Sequence, residues 1–126
     1  AALEREIANR TEGEQALRQS EQRFRSIFET APIGIAFADL NGGFQEVNAQ
    51  FCKLVGYPAQ ALLGKRSIDI THPDDRREDI RLGRSLMRGE IPFYRRLKRY
   101  LRPDGSIAHA RVLVSLLRGR ACARAM

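Results

Sequence analysis

The chain has 126 residues, of which 43% are hydrophobic, and its formal charge is +7 at pH 7. This length and composition fit one globular domain with an extension, and no apolar run reaches the ~18 residues of a membrane-spanning helix. Two distant cysteines, Cys52 and Cys122, exclude a disulfide framework and favour a reducing cytoplasm. The basic residues are mostly arginines without interleaved aromatic residues, so we interpret the charge as a solvated surface.

Residues 1–30 carry the pattern of one long helix, which Gly13 could interrupt and which Pro32 ends. A heptad frame places apolar residues at several of its core positions, a weak coiled-coil signal. We expect this stripe to pair with the same helix of a second chain. The alternative is an amphipathic helix lying on its own domain. The candidate dimer-seam residues are Leu3, Ile7, Leu17, Phe24 and Phe28.

A hairpin and two short helices are predicted next. Residues 33–40 and 44–47 have the pattern of two strands joined by an Asn-Gly-Gly turn. Asn48 has the residue type that caps a helix, and Gly56 has the type that ends one. A second short helix is predicted at residues 58–64.

A longer helix, capped by Thr71 or His72, is predicted to end at Gly89. Two strands follow at residues 91–101 and 107–117, joined by an Arg-Pro-Asp-Gly turn. A proline inside the first of them indicates an edge strand. The second alternates between an apolar face and a mixed face, which is typical of a half-buried antiparallel strand.

This order of elements, over about residues 20–117, resembles the PAS family. Five short phrases occur in the right order and spacing: Ala31-Pro32-Ile33-Gly34-Ile35, Asn48-Ala49-Gln50-Phe51-Cys52 with Gly56-Tyr57, Leu62-Leu63-Gly64, His72-Pro73-Asp74-Asp75 and Asp104-Gly105-Ser106. The resemblance implies an α+β fold, with an antiparallel sheet, short helices on one face and an N-terminal amphipathic helical extension. It also implies a sensory and dimerising module that is not itself an enzyme.

Three segments follow from the resemblance: a linker helix at residues 1–20, the PAS domain at 21–117 and a tail at 118–126. The tail has no β-branched or aromatic residue, so we expect the family's last, central strand to be missing or supplied by a second copy of the chain. The resemblance implies a cytoplasmic, homodimeric piece of a longer bacterial-type protein. Its effector domain would be a histidine kinase or a cyclic-di-GMP enzyme.

In this family a small-molecule pocket would lie between the inner sheet face and the short helices. The alternative is that the same apolar side chains fill the core and leave no space. The candidate pocket residues are Ile35, Phe37, Phe51, Val55, Leu62, Ile70, Leu82 and Leu97.

No cofactor is predicted. Ser67 stands where flavin photosensors of this family carry the reactive cysteine, so photo-adduct chemistry is rejected. Haem is not expected, because residues 76–88 contain no histidine, and His72 and His109 have the pattern of a loop and an outer strand face. Cys52 is interpreted as a small buried hydrophobe.

We find no catalytic motif and no metal-ligand spacing. Four acids near the start of the longer helix are interpreted as surface residues that compensate the helix dipole: Asp74, Asp75, Glu78 and Asp79. Two alternatives to a sensor stay open. One is a ligand-free structural dimeriser, and the other, which we do not favour, is a nucleic-acid module using Arg95, Arg96, Lys98, Arg99 and Arg102. We expect no direct membrane contact.

Overall fold

The computed structural model describes the backbone of residues 2–126 and the side chains of residues 11–126. The chain forms two compact units, residues 1–30 and residues 31–126. The first is helix α1, Ala2–Thr30, which runs through Gly13 without interruption. Among the described residues, none of the helices combines the length and the apolar character that crossing a membrane requires.

The second unit contains five strands and four helical segments. They are β1 (Gly34–Ala38), β2 (Phe44–Val47), α2 (Ala49–Val55), α3 (Ala59–Leu62), a short 3-10 helix (Ser67–Ile70), α4 (Pro73–Met87), β3 (Phe93–Leu101), β4 (Ile107–Leu117) and β5 (Arg120–Ala125). The sheet order is β2-β1-β5-β4-β3, with every neighbouring pair antiparallel. Strand β3 is an edge strand, as predicted, and the α+β architecture is confirmed.

Strand β5 corrects the sequence-based expectation of a missing or exchanged last strand. The segment predicted to be a tail is the central strand of its own sheet, pairing Phe37 of β1 with Cys122 and Val114 of β4 with Ala123. The domain therefore continues past residue 117, and no second chain is needed to complete the sheet.

The physical reason is a tight hairpin between β4 and β5. Leu117 pairs with Arg120, which leaves a two-residue loop, Arg118 and Gly119, with φ of 51° and 78°. Positive φ at both positions gives the backbone twist that suits an antiparallel pair. Hydrogen bonding to neighbours on both sides then outweighs the low strand propensity of an alanine- and arginine-rich segment.

Asn48 fixes the start of α2 against β1. Its Oδ1 accepts hydrogen bonds from the backbone N–H groups of Phe51 and Ile35, both at 2.9 Å, and its Nδ2 donates to the carbonyl of Ile33 at 3.0 Å. The helix approaches the strand closely at Gly34, where a Cβ would lie 2.9 Å from the Cα of Phe51. The predicted cap at Asn48 is thus also a link between two elements.

Large side chains fill the part of the core next to α2 and α3. The Phe51 ring meets the Tyr100 ring edge-on with centroids 5.9 Å apart, and the Phe44 ring lies 5.6 Å from Phe51. Val55 and Leu62 are fully buried beside them. This part of the domain is close-packed, and a cavity lies beneath α4 instead.

Candidate functional site

A cavity of ≈ 460 Å³ lies between the inner face of the sheet and helix α4. Its sheet wall includes four alanines, Ala36, Ala38, Ala121 and Ala123, which come from the adjacent strands β1 and β5. On the helix side, Gly83 lines the cavity, and a Cβ added there would meet nothing within 4 Å. The space exists because these facing residues have little or no side chain to fill it.

Lys98, which lines the cavity, shares the carboxylate of Asp79 with the neighbouring cation Arg96. Lys98, only 6% exposed, donates from Nζ to Oδ2 of Asp79, while Arg96 donates from Nη1 to Oδ1 of the same carboxylate. Arg96 also donates to the backbone carbonyl of Asp75 at 3.1 Å. Burial lowers the pKa of the Lys98 ammonium, and the charge of Asp79 opposes that shift.

A second carboxylate extends this cluster. Asp75 accepts hydrogen bonds from the backbone N–H, Nε and Nη2 of Arg99 at 2.8, 3.1 and 2.8 Å. The side-chain hydrogen bond from Arg99 is the main cause that lowers the Asp75 pKa to about 2. The ion-pair cluster formed by Asp75, Asp79, Arg96, Lys98 and Arg99 therefore holds three cations and two anions.

Two tyrosines on β3 add hydroxyl groups to the cavity wall. Tyr94 and Tyr100 both line the cavity, and the Lys98 Nζ lies 4.7 Å from the centre of the Tyr100 ring. Burial raises the pKa of Tyr94 to about 12 and raises that of Tyr100 as well. Among the side chains of residues 11–126 neither hydroxyl has a protein hydrogen bond, and burial keeps both hydroxyls neutral.

The ion-pair cluster corrects part of the sequence interpretation. Asp75 and Asp79 were expected to be surface acids, but their side chains are only 11% and 12% exposed. Asp74 is exposed as expected, and Glu78 pairs with Arg81 on its own helix. The sequence does contain a signal for this pairing, which is the spacing of the acids along the helix and of the cations along the strand. Acids four residues apart share a helix face, and cations two residues apart share a strand face.

The eight candidate pocket residues lie elsewhere in the domain. Phe51, Val55, Leu62 and Ile70 are core residues, and none of the eight lines the cavity beneath α4.

Strand alternation explains the placement of three of the others. It puts Ile35 and Phe37 on the sheet face opposite Ala36, and Phe37 there lies under the Arg120 guanidinium, 4.3 Å from its ring centre. Leu97 is 69% exposed on the outer face of β3, so its assignment to an inner pocket is wrong. Leu82 is partly buried on α4.

The candidate dimer seam is described only in part. Leu17 and Phe24 are 60% and 46% exposed, which leaves both side chains accessible. Phe28 is buried and its ring stacks on Phe24, with centroids 5.6 Å apart. The side chains of Leu3 and Ile7 lie outside the described residues.

The five basic residues of the nucleic-acid alternative do not form one surface. Arg96 and Lys98 turn inward to Asp79, while Arg95 is exposed on the other side of β3. Arg102 donates from Nε to the carbonyl of Leu54 at 3.1 Å, which ties the β3–β4 turn to the end of α2.

A five-stranded antiparallel sheet that carries short helices on one face, with a cavity between them, defines the class of small sensory signalling modules. Residues 22–122 match the PAS fold family, and the chain belongs to that family. It is a sensory module of the kind found in signal transduction proteins.

Three similar proteins illustrate the relationship. The chain is 33% identical over 100 residues to "Probable diguanylate cyclase DgcE" of Escherichia coli (strain K12), covering 79% of this chain and 9% of that protein. It is 32% identical over 105 residues to "C4-dicarboxylate transport sensor protein DctS" of Rhodobacter capsulatus, covering 82% of this chain and 16% of that protein. The chain thus spans a small part of the length of these curated relatives.

The fold is also that of a domain of the sensory box sensor histidine kinase/response regulator from Geobacter sulfurreducens. That crystal structure superposes with a TM-score of 0.75 at 20% identity, covering 86% of this chain and 95% of the other.

Proposed function

We propose that this PAS domain senses a small molecule in the cavity beneath α4 and passes the change through α1, paired in a homodimer, to an effector domain of the same parent protein. The observation that carries the proposal is the cavity of ≈ 460 Å³, which lies in the ~300–1,000 Å³ range of small-molecule sites. Its walls combine apolar side chains with a few convergent polar groups, which is the composition of a ligand site.

The cavity is placed so that an occupant would act on two elements at once. Helix α4 forms one wall, and the strands β1 and β5 form the other. Strand β1 begins four residues after the last residue of α1, Thr30. A ligand that favours one packing of α4 on the sheet would bias a two-state equilibrium, and β1 would carry that bias to the helix.

The names of the relatives support the kind of output. One is named as a diguanylate cyclase and the other as a transport sensor, and each is far longer than the matched region. We propose that the parent protein is a cyclic-di-GMP enzyme or a histidine kinase and that this domain regulates it from the cytoplasm without catalysing a reaction itself.

Two substitutions at Gly83 test whether the cavity is the sensing site. Gly83→Leu adds a side chain into open space and should exclude a ligand, while Gly83→Ala adds one methyl group and gains about 1 kcal/mol of helix propensity. Native mass spectrometry of the purified proteins should show a bound small molecule in the wild type and in Gly83→Ala, and none in Gly83→Leu. An empty wild-type protein would support the ligand-free dimeriser, and a molecule retained by Gly83→Leu would place the site elsewhere.

A further inference from the structure

The charged groups that line the cavity indicate which ligand it accepts. They are three cations, Arg66, Arg84 and Lys98, and two carboxylates, Asp39 and Asp79, so the wall carries one more positive than negative charge. Lys98 is the buried one of these cations, with 5% of its side chain exposed, and Asp79 is its partner. A buried ammonium is stabilised by a further negative charge or acceptor that lies beside it.

The unused hydrogen-bonding capacity at the same place consists of donors. An ammonium has three N–H groups, and Lys98 directs one to Asp79, with no other hydrogen bond to a described residue. The hydroxyls of Tyr94 and Tyr100 are without protein partners in the same part of the chain. An occupant that offers acceptor oxygens and a negative charge would satisfy these groups together.

The rest of the cavity wall limits the body of that occupant. Beyond Lys98 the wall is largely apolar, with Val112, Val114 and Leu86 beside the alanines of the sheet. Arg84 lines the cavity from α4 and has no ion pair among the described residues, while the other lining carboxylate, Asp39, accepts from two backbone N–H groups of its own turn. The cavity therefore joins an apolar chamber to a cationic wall.

We propose, on the basis of the sensory function proposed above, that the ligand is a small organic monocarboxylate whose carboxylate is held by Lys98, Tyr94 and Tyr100 while its apolar body lies against the alanine-rich sheet. Lys98 already pairs with Asp79, and a bound carboxylate would accept a second hydrogen bond from its ammonium.

Three probes with the same apolar chain and different charge test the proposal by calorimetric titration: hexanoate, hexan-1-ol and hexylammonium. Hexanoate should bind at least about tenfold more tightly than hexan-1-ol, the factor that one charge-assisted hydrogen bond supplies, and hexylammonium should bind most weakly. In Lys98→Met this preference for hexanoate should fall to about twofold or less. The control Lys53→Met, at an exposed position of α2, should keep the wild-type preference for hexanoate.

Tyr94→Phe and Tyr100→Phe remove a hydroxyl without changing the ion pairs, so they keep the proposal testable if Lys98→Met does not fold. Each should weaken hexanoate binding about fivefold and leave hexan-1-ol binding unchanged. Equal binding of hexan-1-ol and hexanoate, or an unchanged preference in Lys98→Met or both tyrosine variants, would overturn the carboxylate assignment and leave the sensing cavity in place. Absence of binding by all three probes would overturn the sensing cavity as well.

Discussion

Asp75 ties helix α4 to strand β3 through three hydrogen bonds from Arg99. A carboxylate at the start of a helix is usually explained by the helix dipole, which contributes about 0.3–1 kcal/mol. The pKa of Asp75, held at about 2 mainly by the hydrogen bond from the Arg99 side chain, shows that a specific partner dominates here. Because the folded pKa lies below the unfolded value of 3.8, ionised Asp75 stabilises the fold at neutral pH.

The stability of the domain should therefore depend on pH through this residue. At neutral pH the ionised pair contributes about 2 kcal/mol, which is present above the unfolded pKa and is lost as the pH falls towards 2. Asp75→Asn should lower the free energy of unfolding by about this amount at pH 7, and the gap to the wild type should shrink towards pH 2. Urea unfolding of both proteins at a series of pH values measures this difference in the free energy of unfolding.

Asp74→Asn is the matched control, because Asp74 is the exposed neighbour in the same helical turn. It should cost about 0.5 kcal/mol, the contribution of a surface charge near a helix N-terminus. A gap between Asp75→Asn and the wild type that stays constant with pH would show that the Arg99 pair does not supply this stability.

Among the helices and strands, local patterns predicted most of the elements but not the 3-10 helix (Ser67–Ile70) or strand β5, which was missed for a physical reason. Caps and turn residues such as Asn48 and Gly56 act over a few positions, so the sequence displays them directly. Strand β5 instead depends on partners on both sides and on a hairpin whose loop, Arg118 and Gly119, is not a strong turn signal. Its alanines, poor in strand propensity, also create the cavity wall.

The site was harder to predict than the fold, because the cavity depends on positions where a large side chain is absent. Large apolar residues such as Phe51 and Leu62 were expected to surround a ligand, but large side chains fill space and these two are core residues. The cavity forms where small residues from β1, β5 and α4 meet. The pairing of Asp79 with Lys98 spans 19 positions, so it depends on how α4 crosses the sheet, which a local pattern does not specify.

Helix α1 gives a test of the proposed dimer. Leu17 is 60% exposed and is one of the candidate dimer-seam residues, whereas Gln19 is also exposed but is not one of them. Leu17→Asp would put a charge into a helix–helix seam and should weaken the dimer by at least about tenfold, while Gln19→Asp should leave it unchanged. Light scattering over a concentration series measures the mass. Equal masses for Leu17→Asp and the wild type at every concentration would contradict pairing through this face.

At the scale of the whole molecule, we propose that binding of a ligand in the cavity of residues 31–126 changes the state of the helix in residues 1–30. Each unit is compact by itself, and the chain passes from one to the other at Ala31. A coupling of this kind requires that the ligand interact differently with two arrangements of the molecule. Binding alone would make the domain a receptor without an output.

Hydrogen exchange measured residue by residue, with and without a saturating probe, tests that coupling most directly. The probe is hexanoate or hexan-1-ol, whichever binds more tightly. When this probe is added to the wild type or to Gly83→Ala, the hydrogen-exchange rates should change both in α4 and in α1. In Gly83→Leu, whose cavity is filled, neither helix should respond. A response confined to α4 and the sheet, with α1 exchanging at the same rate in both samples, would contradict the account.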